Sequence, residues 1–162
     1  MPNSKIAIIM GSQSDLETMS EAVNVLKEFK ADYEVRVLSA HRTPDEVAQF
    51  ARDARKAGVK VIIAGAGGAA ALAGSIAAHT TLPVIGVPME TSSLKGLDSL
   101  LSTVQMPGGV PVASMAIGKP GAKNSALFAL EIIGTFDKEI EKKLDNYKKA
   151  LAKKTKEIKL KV

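Results

Sequence analysis

The 162-residue sequence has no cysteine, no tryptophan, few aromatic residues and only two histidines. Without cysteine there is neither a disulfide framework nor a thiol nucleophile, and the composition fits a reducing compartment. Aromatic residues make up 4% of the chain, too few for base-stacking platforms, so no nucleic-acid partner is expected. The opening Met1-Pro2-Asn3-Ser4-Lys5 runs directly into a short apolar strand pattern and lacks the long apolar stretch of a leader or membrane span. A cytoplasmic protein that binds no membrane is the expectation. The histidines, His41 and His79, are far apart, and His79 follows an alanine-rich stretch with no acidic or second histidine neighbour. No metal site is expected, and His79 reads as a surface residue.

The net charge of +5 is also missing from most of the chain. From Asp137 to Val162 there are ten lysines against five acidic residues, whereas the preceding residues carry twelve of each sign. The body is neutral and the excess belongs to the last segment. There Phe136, Ile140, Leu144, Tyr147 and Leu151 recur at steps of three and four, the pattern of an amphipathic helix. It can pack on its own domain with a solvated basic face, or extend and pack on a neighbouring subunit. We expect the second, because the body looks complete without it.

What remains is an ordinary globular balance, 46% hydrophobic and 24% charged, in a length suited to a single domain over residues 1–162. Short apolar runs predict strands over 5–10, 33–38, 59–64, 83–88 and 112–117. The run at 5–10 is apolar enough to be buried on both faces, while the run at 33–38 alternates as a strand near an edge does. Helical spacing predicts helices over 15–29, from Thr43 to Gly58, from the Gly65-Ala66-Gly67-Gly68 stretch to about His79, around 96–101 and over 124–134. Thr43 suits an N-cap, Pro44 a first turn, and Glu46 the closing residue of a capping box. Alternating strands and helices predict a mostly parallel five-stranded sheet in a three-layer α/β/α, flavodoxin-like arrangement, with the C-terminal amphipathic helix (136–162) as an extension.

In such sheets ligands gather at the carboxyl ends of strands. Gly11-Ser12-Gln13-Ser14-Asp15 offers two hydroxyls and free helix N–H groups to an oxyanion, and Asp15 could accept hydrogen bonds from a sugar diol. Taken alone, this loop is better explained by Ser14 or Asp15 capping the helix. In Ser39-Ala40-His41-Arg42-Thr43-Pro44, Arg42 can pair bidentately with phosphate. Imidazole has a reference pKa of about 6.5 and can give and take a proton near neutrality, which makes His41 a candidate proton carrier. Gly65-Ala66-Gly67-Gly68-Ala69-Ala70 lets backbone approach a planar ligand closely, or serves tight helix–sheet packing. It is neither a dinucleotide fingerprint nor a Walker loop.

These three stretches, with Val104-Gln105-Met106-Pro107-Gly108-Gly109-Val110-Pro111-Val112, closely resemble the PurE family, the N5-carboxyaminoimidazole ribonucleotide mutases of bacterial purine biosynthesis. The resemblance runs from about Lys5 to beyond Gly134. It implies an isomerase of IMP biosynthesis that moves a carboxylate from the 5-amino nitrogen to carbon 4 of the aminoimidazole through enclosed CO2, with no cofactor. It further implies a homo-octamer whose C-terminal helix contacts neighbours. By motif match, His41 transfers protons, Ser12, Ser14, Ser39 and Arg42 hold the phosphate, and Asp15 holds the ribose hydroxyls. The stretch from Gly65 through Gly67 to Ala70 lines the imidazole and CO2 pocket. Gly65-Ala66-Gly67-Gly68 resembles the mutase class, the CO2-using carboxylases having Gly-Arg-Ser there. One departure stands out: the family's His-Leu-Pro-Gly is here Ala71-Leu72-Ala73-Gly74. Direct carboxylation of aminoimidazole ribonucleotide and a weakly active or non-catalytic nucleotide-binding variant are the competing expectations.

Overall fold

Residues 5–159 are described by the computed structural model. Lys5–Met10 forms β1, and it is followed by a single 3-10 turn (Gln13–Asp15) and α1 (Leu16–Phe29). Then come β2 (Tyr33–Val37), α2 (Pro44–Asp53), β3 (Val59–Ala66), α3 (Leu72–Ala77), β4 (Val84–Pro88) and α4 (Leu97–Val104). The chain closes with β5 (Ala113–Ser114), α5 (Lys119–Gly134) and α6 (Lys138–Lys156).

The sheet is parallel throughout, in the order β2-β1-β3-β4-β5. Successive side chains of a strand point to opposite faces, and in β1 both faces are covered. Ile6, Ile8 and Met10 join a core with α1, α5 and the first half of α6. Ala7 and Ile9 join the other core, beneath α2 and α3. This is the three-layer arrangement expected from the alternation of elements, and it explains why β1 reads as an unbroken apolar run. β2 lies at the sheet edge, with Val35 and Val37 exposed. No described helix is long and apolar enough to cross a membrane.

Several local expectations differ from the structure: α2 ends at Asp53 instead of running to Gly58, and α3 covers only Leu72–Ala77 of the stretch expected to reach His79. Thr43 occupies the N-cap of α2 without capping it. Its hydroxyl instead donates to the Ser39 carbonyl (3.1 Å) and accepts from the Ser39 N–H (3.0 Å), closing the 39–43 turn on itself. The fifth strand is only two residues long, because after Ser114 the chain follows β4 through isolated bonds, Met115 N–H to the Gly86 carbonyl and Gly118 N–H to the Pro88 carbonyl, both 2.9 Å. α5 starts at Lys119, five residues before the expected start, with Pro120 in its first turn where a missing N–H costs nothing.

Asp137 caps α6 by accepting from the N–H groups of Glu139 and Ile140. Ile140 and Leu144 are buried against the domain, and Tyr147 packs a tilted ring 5.7 Å from that of Phe29. Beyond Ala150 every described residue of the helix is exposed. The lysine-rich end therefore projects from the body, while the first half is part of the core.

Candidate active site

The carboxyl ends of β1, β2, β3 and β4 surround a cavity of about 490 Å³. That is an ordinary volume for a small-molecule site. It lies where the chain order reverses, since the chain passes from β1 to β2 on one side and then crosses back to β3 on the other.

From β1 come Ser12, Ser14 and Asp15. The Asp15 carboxylate accepts the Ser12 N–H (3.0 Å), while the Ser14 N–H and hydroxyl both approach the Ser12 oxygen (3.4 and 3.0 Å). The expected caps are not the ones found: Ser12 caps the 3-10 turn with Asp15 closing its box, whereas Ser14 caps nothing and Asp15, at the N-cap of α1, makes no capping bond to that helix. The same geometry brings two hydroxyls to one point of the cavity wall, so capping and ligand binding are compatible.

From β2 come Ser39, His41 and Arg42, on the turn that Thr43 closes. Arg42 reaches across to β1, donating from Nη2 to the Gly11 carbonyl (2.8 Å) and from Nε to the Ser39 hydroxyl (3.3 Å). These bonds hold the guanidinium at Gly11, the residue that leads into the Ser12–Ser14 loop of the same cavity. His41 and Arg42 are exposed, so the cavity is open on their side.

Burial raises the Asp15 carboxyl above its ordinary range, opposed by the Ser12 N–H and by the Arg42 charge, both of which favour the anion. A raised carboxyl pKa means that the folded state holds its proton more tightly than the unfolded chain. The ionised side chain therefore costs stability at neutral pH, and the cost disappears as pH falls through the carboxylate range. Asp15→Asn keeps an acceptor for the Ser12 N–H and removes the charge. The unliganded variant should melt at or slightly above the parent temperature near pH 7, with the difference closing towards pH 4. A clear drop in melting temperature at pH 7 would mean that the carboxylate's bonds outweigh its burial.

From β3 come Gly67, Ala69 and Ala71. Gly68, between them, has a left-handed φ of +66°, which a glycine adopts without strain. Gly65 does not line the cavity: it is buried beneath the floor, and a Cβ there would stand 2.7 Å from the Met19 sulfur and 2.8 Å from the Met89 methyl. Its carbonyl accepts the Gly11 N–H (3.0 Å), so it fixes the start of the β1 loop from below.

The fourth wall was not foreseen. Met89, Glu90 and Thr91 follow β4 and face the cavity. The strand-end rule applied to β4 would have found them. His79 lies outside the site, exposed, with Nδ1 2.8 Å from the Ser75 carbonyl.

A family profile described as AIR carboxylase matches residues 5–154. The chain is 59% identical over 140 residues to N5-carboxyaminoimidazole ribonucleotide mutase of Bacillus subtilis, covering 86% of each chain. It is 59% identical over 143 residues to the protein of that name from Saccharolobus solfataricus, covering 88% of this chain and 89% of the relative. The corresponding Escherichia coli K12 protein is 51% identical over 146 residues, 90% of this chain and 86% of the relative. Among solved structures, Treponema denticola PurE superposes with a TM-score of 0.86 at 30% identity, over 95% of each chain.

Proposed function

Because this chain belongs to the AIR carboxylase family and has mutase relatives more than half identical over most of its length, we propose that it is an N5-carboxyaminoimidazole ribonucleotide mutase. It serves purine biosynthesis in the cytoplasm. The observation that carries the site assignment is the meeting of Arg42 and three serine hydroxyls with His41 and a glycine-lined wall in one cavity. Arg42, Ser12, Ser14 and Ser39 bind the phosphate, at the corner where the guanidinium is already held. Asp15 takes the ribose hydroxyls. Glu90 stands on the β4 wall, where its charge opposes a phosphate and leaves the Arg42 corner as its place.

The chemistry balances on one proton carrier. Breaking the bond between the 5-amino nitrogen and its carboxylate releases CO2 and requires a proton on that nitrogen. Carbon 4 then attacks the CO2 and loses its own proton. The proton gained equals the proton lost, so a single imidazole at His41 can deliver the first and accept the second. The closely packed Gly67 wall keeps CO2 beside carbon 4 between the two steps.

Ala71 lines the cavity from the start of α3. His41 therefore works with a methyl group at the position where the family resemblance leads one to expect an imidazole. Ala71→His is expected to raise turnover or leave it unchanged. A loss beyond about tenfold would show a pocket built around the smaller residue, since a second acid–base group otherwise only adds to catalysis.

The family description names a carboxylase, and direct carboxylation with dissolved CO2 is the alternative. Offering purified protein the N5-carboxylated substrate, and separately aminoimidazole ribonucleotide with bicarbonate, tests the choice. Conversion of the first alone supports the mutase, and efficient conversion of the second alone overturns it. Conversion of neither, with saturable binding retained, would make the protein a nucleotide-binding module.

A homo-octamer completes the reading. Its support is the open side of the cavity at His41 and Arg42, the exposed leucine Leu94 before α4 with Leu97, Leu101 and Val104 along it, and the projecting end of α6. Light scattering on the intact protein tests it, and a monomer at micromolar concentration would refute it.

A further inference from the structure

Helix α4 contributes no side chain to the cavity wall, yet it fastens two of the loops that do. Ser99 is fully buried, and its hydroxyl accepts the Gly68 N–H at 3.0 Å. One turn on, the Ser102 hydroxyl, whose shorter bond donates to the Asp98 carbonyl at 2.8 Å, stands 3.3 Å from the Gly68 carbonyl. The Gly68 amide is thus bonded to α4, while its carbonyl accepts the Ala70 N–H (2.8 Å), at the residue whose left-handed backbone turns the chain between wall residues Gly67 and Ala69. Gly67 is pressed against the same place: a Cβ on it would lie 3.2 Å from Met89 Cβ and 3.8 Å from the Ser99 oxygen. Asp98 makes the second tie, accepting from the Thr91 hydroxyl at 2.7 Å, while Thr91 accepts the Gly96 N–H at 3.2 Å. Ser99 is itself anchored, because the Thr103 hydroxyl donates to its carbonyl at 2.7 Å.

We infer that Ser99 is a positioning residue of the reaction, holding the Gly67–Gly68 wall closed so that CO2 is captured by carbon 4 before it escapes. The inference rests on the mutase reading. It assigns Ser99 no contact with substrate; its effect passes through the Gly68 amide. Without the hydroxyl, a half-buried N–H loses its acceptor and the turn shifts to find another, in the protein or in water. A wall displaced by a fraction of an ångström leaves the phosphate site intact and opens a gap beside the CO2. The 5-amino nitrogen is then protonated and the CO2 departs, leaving aminoimidazole ribonucleotide instead of product.

The test is the partition of turnovers. Intact protein, Ser99→Ala and Ser102→Ala are each given the N5-carboxylated substrate. Product and aminoimidazole ribonucleotide are quantified after subtracting the spontaneous decarboxylation rate. Ser99→Ala should raise the escaping fraction about tenfold and lower product formation with KM nearly unchanged, a loss in the range that small misplacements produce. Ser102→Ala, at an exposed position, should shift the partition the same way by less. A merely structural role would lower the melting temperature and leave the partition as it was. Should Ser99→Ala fail to fold, Ser102→Ala alone decides. Folded variants that partition as the parent does overturn the inference and leave the mutase reading standing. A parent that makes no product overturns the mutase reading and this inference with it.

Discussion

His41→Asn should lower kcat about a thousandfold, because a positioned acid–base group contributes roughly 10²–10⁴ to a proton-transfer step. Asparagine preserves a polar side chain but cannot carry a proton, and here one group is asked to serve both proton transfers. The fold should be indifferent, since His41 is exposed at the apex of a turn whose bonds run through Ser39 and Thr43. Substrate affinity should stay within about threefold, the pattern of an interaction lost in the transition state alone. Isothermal titration beside steady-state kinetics separates the two effects. Unchanged turnover would remove His41 from the chemistry, and a matching loss of affinity would recast it as a binding residue.

Arg42→Ala should act in the opposite sense, raising KM about a hundredfold and changing kcat far less. Charge-assisted hydrogen bonds contribute about 1.5–3 kcal/mol each, and 1.4 kcal/mol is tenfold in affinity. Losing a two-pronged phosphate contact therefore costs roughly two orders of magnitude. Arg42→Lys should recover only part of this, because an ammonium keeps the charge but not the fork. Arg42 also joins β2 to β1 through the Gly11 carbonyl, so a melting curve is needed beside the kinetics. A variant that melts normally and keeps its KM would place the phosphate elsewhere.

Much of this architecture is legible in the residues. β1 spans the expected Lys5–Met10 because a strand covered on both faces leaves an unbroken apolar run, and β2 reads as an edge because polar residues alternate with apolar ones in a strand that the fold leaves largely uncovered. The loops after β1 and β2 announce themselves through rare residue types at strand ends. Local pattern misleads where a non-local or backbone partner competes. Thr43 has the spacing of a capping residue, but its hydroxyl is taken by the Ser39 peptide groups. Gly65 belongs to a glycine stretch read as pocket wall, yet Met19 and Met89 close over it. Thr91 and Ser99 look like ordinary polar residues, and their ties to Asp98 and Gly68 exist only once α4 has folded against β4. α6 divides in the same way. Its three-and-four spacing is continuous from Phe136 through Leu151, but of that apolar stripe only Ile140, Leu144 and Tyr147 pack against the domain, and Phe136 and Leu151 are exposed.

The central claim is that the carboxylate reaching carbon 4 is the one that left the 5-amino nitrogen, held meanwhile against the Gly67 wall. It is tested most directly by substrate labelled with carbon-13 in that carboxylate, turned over in unlabelled bicarbonate buffer and analysed by mass spectrometry. Enclosed transfer should leave the label in nearly all of the product. A product carrying chiefly unlabelled carboxylate would show that CO2 enters from solution, and would contradict the mutase assignment.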